Sequence, residues 1–456
     1  MTGVTREVRL RTAALYRRLG EVTPCTRAQR FALLVIIGVA FTLRLAWVLY
    51  AARPNVTLQD PTLYVFFAEQ ISNGHGYELL DGGSTAYYPI GYPAALAAVF
   101  WFVRHTPIPD DLYNAAGFFN LVLGTATVAF TFDLARRLFD NRVGLVAAGV
   151  IALWPNLILH TAVALTETLF NFLVMAGFLV LLSGSWRTHR LGWRRLALFG
   201  VLLGLSALVR PISLLFLPVL LLVWVMAGWG WRPAVRPLAV AAVATAAVIA
   251  PWTIRNVIVM DSPVVISTNL GDNLCMSRHA DANGAFQLKS PCFPRPPEGT
   301  DRPEYELERN NDATRKAVEF VFQHPIDEAR LVLWRAYWTL QHDHDGLDAA
   351  ESYRANPFVP DRWRSVLETI ADAYFFVTLV LGLLAVGAFW RDLRRRFFLL
   401  AMAAMAVQPL IFFGDVRFHL PVLPFLAVGT AVTLVRLRDA RAAGPFRVGA
   451  GSAAAG

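Results

Sequence analysis

Apolar runs long enough to cross a bilayer, divided by short blocks of arginine, constrain this chain more than any other feature. The first run is Phe31 to Tyr50, and others lie near 113–135, 143–160, 162–183, 196–210, 211–230, 237–254, 366–390, 397–413 and 419–436. A helix needs roughly 20 apolar residues to cross the hydrocarbon core, so the pattern predicts an all-α polytopic membrane protein with about ten spans. Hydrophobic residues make up 56% and charged residues 16%, a balance that excludes an ordinary soluble domain.

The net charge of +9 is carried by arginines between the runs: Arg136, Arg137 and Arg142; Arg187, Arg190, Arg194 and Arg195; Arg232 and Arg236; Arg391 and Arg394 to Arg396; Arg436, Arg438 and Arg441. If the basic tail 1–30 is cytoplasmic, alternation places every block on the inner side, as the positive-inside rule requires. That is the distribution of cytoplasmic loops; no basic domain or recognition motif points to nucleic acid. The first apolar run exceeds the core of a signal peptide and reads as an uncleaved span. The expectation is a multi-pass plasma-membrane protein with both termini cytoplasmic.

The same alternation divides the chain. Residues 1–30 form a cytoplasmic tail, 31–255 an N-terminal membrane module carrying an outer loop at 51–112, 256–365 a small extracytoplasmic segment, 366–436 the C-terminal spans and 437–456 a second, disordered cytoplasmic tail. Tyr88 to Val103 is apolar, but Pro89, Gly91 and Pro93 interrupt its start, so it is read as an interfacial segment within the outer loop. In the outer segment a helix is expected through Ala313 to Leu340, with Val318, Phe322, Ile326, Leu331, Trp334 and Trp338 forming a stripe that would rest on membrane or bundle. Cys275 and Cys292 share this compartment, where either a disulfide or two free thiols fit.

Ionisable residues scattered along the sequence converge on the outer side: Asp60, Glu69, Glu167, Arg210, Arg255, Asp415, Arg417 and His419. Charge near a bilayer core costs about 2.5–3.5 kcal/mol on insertion scales, so such residues persist by pairing or by facing a polar cavity. Asp60 alone would also serve as a helix start, being followed by Pro61. Arg255, at a span end, could instead anchor in headgroups. The tract His342-Asp343-His344-Asp345 has metal-ligand residue types, but four consecutive residues in a loop are read as solvated charge, with a metal site as the alternative.

The ordered set of Asp60 after span one, Gly74-His75-Gly76-Tyr77, Tyr88-Pro89-Ile90-Gly91-Tyr92-Pro93, Arg136-Arg137-Leu138-Phe139, Thr166-Glu167-Thr168-Leu169-Phe170, Val209-Arg210-Pro211, Pro251-Trp252-Thr253-Ile254-Arg255-Asn256 and Asp415-Val416-Arg417-Phe418-His419-Leu420-Pro421 resembles the GT-C glycosyltransferases. Within them it is similar to the family 39-like group of protein O-mannosyltransferases and lipid A aminoarabinose transferases. The resemblance spans nearly the whole membrane region and implies a GT-C-type bundle that moves a sugar from a polyprenyl-phosphate carrier to an acceptor at the outer face. It implies catalytic carboxylates at Asp60 and Glu167. Asp60 is followed by Pro61 rather than by a second acid, and no MIR domain is present, so protein as the acceptor does not follow. Some relatives bind a divalent ion; no Asp-x-Asp pattern stands in the first loop, so a metal is left open and no cofactor is implied.

The chemistry agrees with the resemblance. An outward-facing transferase has no nucleotide sugar to draw on, and its lipid-linked donor leaves as a phosphate that needs charge stabilisation. Arg210, Arg255, Arg417 and His419 are the candidates, guanidinium being matched to phosphate oxygens. Asp60 is the nominee to accept the proton of the acceptor hydroxyl, in a single displacement with inversion, while Tyr64, Glu69, Tyr88 and Asp415 would hold substrate. The competing class is a lipid flippase or transporter, which also places polar residues inside a bundle.

Overall fold

The computed structural model describes residues 23–79, 82–107, 111–184, 186, 191–287, 292 and 302–443. Among them there is no β-strand, only two isolated bridges, Glu78 with Ser84 and Ala285 with Gly414. The tail 1–22 and the last residues of the chain lie outside the described range.

Helix α1 (Arg27–Ala51) starts at a capping box, in which Thr26 accepts from the Gln29 amide while the Gln29 side chain accepts from the Thr26 amide. The loop expected at 51–112 contains α2 (Asp60–Ser72) and α3 (Gly91–Arg104), which pack on each other. At 14 residues α3 is about 21 Å long, short of the ~30 Å hydrocarbon core. Then follow α4 (Leu112–Leu138), α5 (Asn141–Ala152), α6 (Pro155–Leu159), α7 (Thr166–Leu182), α8 (Trp193–Val209), α9 (Phe216–Met226) and α10 (Trp231–Met260). Residues 256–365 contain α11 (Leu270–Cys275), α12 (Arg302–Gln323), α13 (Pro325–Leu340) and α14 (Asp345–Ala350), and then follow α15 (Asp361–Leu384), α16 (Val386–Phe389), α17 (Leu393–Ile411) and α18 (Leu423–Ala443).

Among the described residues, five segments are long and apolar enough to cross a membrane: Arg27–Ala51, Leu112–Leu138, Trp231–Met260, Asp361–Leu384 and Val416–Ala442. The pair Asn141–Ala152 and Pro155–Ala162 would make a sixth, bent by 59°. Thr166–Leu182 and Pro211–Met226 are shorter apolar helices. Each apolar run of the sequence thus becomes helix, but several are broken or short. At the bend Pro155 has no amide to offer the Ile151 carbonyl, which keeps a 3.4 Å bond from the Trp154 amide, and Arg44 of α1, 1% exposed, donates to the Ile151 and Ala152 carbonyls at 3.3 and 3.1 Å. A buried arginine within an apolar run is thereby explained as a cap on a broken span.

The bundle packs α10 on α8, α8 on α7, α7 on α4, α4 on α5, α5 on α18 and α18 on α15. Gly200 and Gly204 bring α8 against α10; a methyl at either would strike the α10 backbone at Ala241 or Thr245. This is the small-residue close approach expected between membrane helices. The core is aromatic as well as aliphatic, with Trp154, Trp224, Tyr92, Phe100, Phe170 and Phe178 fully buried.

Arg142, Arg394 and Arg395 gather at one end of the bundle. Arg395 donates to the Leu138 carbonyl at the end of α4, Arg394 to Leu182 at the end of α7, and Arg142 pairs with Asp439 of α18. Because α7 begins at Thr166-Glu167, its 17 residues separate that end from Glu167 by about 25 Å.

The single helix expected over Ala313 to Leu340 is instead α12 and α13, broken at His324, whose φ of −128° and ψ of 56° reflect the following Pro325. Along the expected stripe Leu331 is buried, whereas Val318, Phe322, Ile326 and Trp334 are exposed. Two carboxylates fasten this segment to the rest. Glu306 of α12 accepts from Thr85 and from the Ala86 amide at 2.6 and 3.0 Å, and also from Thr268. Glu328 of α13 joins Arg278 and the fully buried Arg335, at 2.8 and 2.7 Å. Cys275 and Cys292 form a disulfide, with Cα atoms 5.7 Å apart.

Candidate active site

The residues that start α2 and follow α17 meet beside a cavity of about 860 Å³. Asp60 is the first residue of α2, placed by Pro61 behind it. Its Oδ1 accepts from the Tyr88 hydroxyl at 2.9 Å and its Oδ2 from Arg417 Nη1 at 2.9 Å. Arg417 sits in the 3₁₀ turn Val416–Val422, capped by Asp415, whose Oδ1 accepts the Arg417 amide at 2.9 Å and lies 3.5 Å from Nε. The Asp60 and Arg417 side chains keep 26% and 15% of their surface, enough for both to reach the cavity.

A second charged pair forms where α7 begins and α8 ends near the same space. Arg210 breaks α8 before Pro211; its Nε donates to Thr166 Oγ1 at 2.9 Å and one terminal nitrogen binds the Glu167 carboxylate. Arg210 lines the cavity, and its other terminal nitrogen, Nη1, is buried without a hydrogen-bond partner. Glu167 itself is 1% exposed and stands behind Arg210 rather than on the wall.

Aromatic rings close the floor. Tyr64 meets Tyr88 and Tyr92 edge-on, at 5.3 and 5.6 Å between centroids, a favoured geometry for paired rings. Burial, reinforced by Asp60, pushes the Tyr64 and Tyr88 hydroxyls well above the ordinary tyrosine range, so both stay protonated. The remaining wall is largely apolar, including Ile212, Leu214, Val265, Ile266, Phe412 and Phe413.

Of the residues nominated from sequence, Asp60, Tyr64, Tyr88, Arg210, Asp415 and Arg417 line this one cavity. Three do not. Arg255 spends its guanidinium on the Thr85 and Tyr77 carbonyls at 2.7 and 3.0 Å, bracing the outer loop. Glu69 pairs with Arg104 at 2.9 Å. His419 is buried, with Nδ1 2.7 Å from the Thr339 carbonyl and Nε2 2.7 Å from Asp343.

The tract read as solvated charge is not so. Asp343 is fully buried and accepts from Trp154 and Asn156 at 2.7 and 2.6 Å, and Asp345 lies 3.3 Å from His160. Burial pushes the Asp343 carboxyl up, whereas His160 and Asn156 outweigh burial at Asp345 and hold it well down. Alternation of side chains along the tract turns two carboxylates inward, which counting polar residues could not reveal.

Sequence reasoning also missed Thr166, Tyr353 and Gln408 on the cavity wall. Thr166 adjoins a residue that was noticed. Tyr353 carried no signal: it sits in Ser352-Tyr353-Arg354, three successive non-glycine residues with positive φ of 54, 54 and 70°. Such backbone is costly for L-residues and persists only where surroundings impose it. Of the acids on the wall, Asp60 and Asp415 face Arg417, whereas Asp345 faces His160. Its arginines and apolar wall suit an anionic, partly apolar guest.

The profile of the Dolichyl-phosphate-mannose-protein mannosyltransferase family matches residues 97–254. No curated protein sequence matches the chain. Among solved structures, the archaeal oligosaccharyltransferase AglB from Archaeoglobus fulgidus, in complex with an inhibitory peptide and a dolichol-phosphate, superposes with a TM-score of 0.54 at 15% identity over 91% of this chain and 51% of its own. Its apo form gives 0.53 at 14% identity, over 90% and 51%. The chain therefore spans about half the length of the oligosaccharyltransferase it matches. ArnT from Cupriavidus metallidurans, bound to undecaprenyl phosphate, superposes less well, at 0.43 with 12% identity over 91% and 81%. Helix order, family profile and shared architecture agree: this chain has the GT-C membrane fold.

Proposed function

We propose that the protein is a membrane glycosyltransferase that moves a hexosyl or pentosyl group from a polyprenyl-phosphate carrier to an acceptor hydroxyl at the extracytoplasmic face. The observation that carries the reading is the meeting of Asp60, Arg417 and the half-engaged Arg210 around one cavity with an otherwise apolar wall. Arginine forks suit phosphate oxygens and apolar walls suit an isoprenoid chain.

Asp60, paired with Arg417, accepts the proton of the incoming hydroxyl. The acceptor oxygen bonds to the anomeric carbon as the bond from that carbon to the phosphate oxygen breaks, and the electron pair leaves on polyprenyl phosphate. Arg210 and Arg417 stabilise that growing charge. Glu167 orients Arg210 from behind, and Tyr64 and Tyr88 offer faces on which a sugar ring could stack. With one carboxylate and no covalent intermediate, the displacement inverts the anomeric centre. The side assignment rests on Arg142, Arg394 and Arg395 at the opposite end of the bundle, which belong in the cytoplasm.

The test is mass spectrometry of envelope glycans, glycolipids and glycoproteins from a deletion strain complemented with wild type or Asp60→Asn. The reading expects one sugar modification to vanish on deletion and to return only with wild type. Restoration by Asp60→Asn would remove Asp60 from the mechanism. Movement of labelled donor across vesicles without any covalent product would instead favour a transporter.

A further inference from the structure

The inward turn of Asp343 and Asp345 has a counterpart on the other face of the same tract. His342 and His344 point away from the buried network and stack on each other, with ring centroids 4.0 Å apart and planes 16° from parallel. Against them stands Asp372 of α15, whose Oδ1 lies 2.9 Å from His344 Nδ1 and accepts the Asp343 amide at 2.7 Å. One potential ligand atom from each of His342, His344 and Asp372 falls within 4.8 Å of the others.

Three features separate this cluster from an ordinary ion pair. Asp372 belongs to a helix long and apolar enough to span a membrane, where a carboxylate is expensive without a task. Nδ1 of His342 is buried and lacks any hydrogen-bond partner, so one strong ligand type is held in place with nothing to bind. The His344 and Asp372 side chains retain 13% and 29% of their surface, which leaves the cluster reachable from solution.

We propose that His342, His344 and Asp372 form a zinc site, independent of the cavity around Asp60. Two imidazoles and one carboxylate match a borderline transition ion and disfavour magnesium or calcium, which select all-oxygen sets. Zinc–ligand bonds of about 2.0–2.2 Å at tetrahedral angles set ligand atoms about 3.4 Å apart, so a small side-chain contraction from the present spacing closes the site around the ion. A water or an acceptor group would complete the coordination. The ion clamps the tract to α15 from one side while Asp343 grips His419 from the other, two residues from Arg417. It is thus a structural clamp behind the cavity wall, and its existence does not depend on the transferase reading.

The experiment is metal analysis by inductively coupled plasma mass spectrometry on the full-length protein in detergent. Samples are stripped with EDTA, reloaded with zinc and desalted, in parallel with His342→Ala, His344→Ala and Asp372→Asn. One zinc per wild-type chain is expected, with about a tenfold to hundredfold loss of affinity in each variant, the usual effect of weakening a metal shell. Cobalt loading of the wild type should give the visible absorption of a four-coordinate ion, and monodisperse gel filtration of the variants establishes that they are folded. Substoichiometric zinc in the wild type, or equal zinc in wild type and all three variants, would overturn the site.

Discussion

Arg417 Nη1 lies 2.9 Å from Asp60 Oδ2 across 357 residues of sequence, joining the start of the outer-loop helix α2 to the turn before the last span. The pair makes each residue's role conditional on the other. Asp60→Asn should lower transfer by about 100- to 10,000-fold, the range for loss of a positioned base. Arg417→Gln should cost about 100- to 1,000-fold, as for loss of one donor to developing charge. Because the two act as a unit, the double variant should fall no further than the worse single one. Initial rates with labelled polyprenyl-phosphate sugar would check this, and multiplicative losses would show that the residues act separately.

The second pair predicts a split between stability and activity. Arg210→Met leaves the buried Glu167 carboxylate without its cation, at a cost of about 3–5 kcal/mol. Adding Glu167→Gln removes the stranded charge and should restore most of the thermal stability. Transfer should remain lost, because the Arg210 guanidinium no longer faces the cavity beside Arg417. Thermal unfolding in detergent alongside transfer rates would test the separation; recovered transfer in the double variant would mean Arg210 serves only to neutralise Glu167.

Much of this was legible in the sequence, and the failures share a cause. Apolar length and arginine spacing gave the helices because membrane insertion is governed by composition over about 20 residues. Asp60, Arg210 and Arg417 were legible because charge beside an apolar run demands a reason. Arg255 and His419 were flagged by the same logic, yet their partners are backbone carbonyls and a buried aspartate, which only the folded chain brings near. Tyr353 depends on backbone geometry with no residue signature. Pro325, by contrast, was a readable break within the expected outer helix.

Acid should weaken the outer segment through Glu328. Burial raises its carboxyl, but Arg335 and Arg278 outweigh burial and leave it below the usual range. A depressed carboxylate adds stability above the unfolded value of about 4.3, and that stability is lost as pH falls through the lower folded value. Glu328→Gln should therefore be less stable near neutrality and should lack this part of the acid-induced loss. Thermal unfolding of both proteins between neutral pH and pH ~3 would show converging curves, with the window set by the ordinary carboxylate range. Parallel curves would mean that Glu328 titrates alike in both states.

Asp343 should govern catalysis from behind the cavity. It accepts from Trp154, Asn156 and His419 with no exposure of its own, so Asp343→Ala strands three donors at about 1–3 kcal/mol each and should accumulate poorly. Asp343→Asn preserves shape and one acceptor oxygen, but it turns an amide donor toward groups that already donate. His419 would lose its fixed seat, and the turn carrying Arg417 would loosen. A positioning role then predicts a lower kcat with little change in KM for the donor, since the cavity wall remains while the charge that meets the leaving phosphate is misplaced. If Asp343→Asn folds and turns over normally, the network only fills space, and Arg417 owes its placement to Asp415 and Asp60 alone.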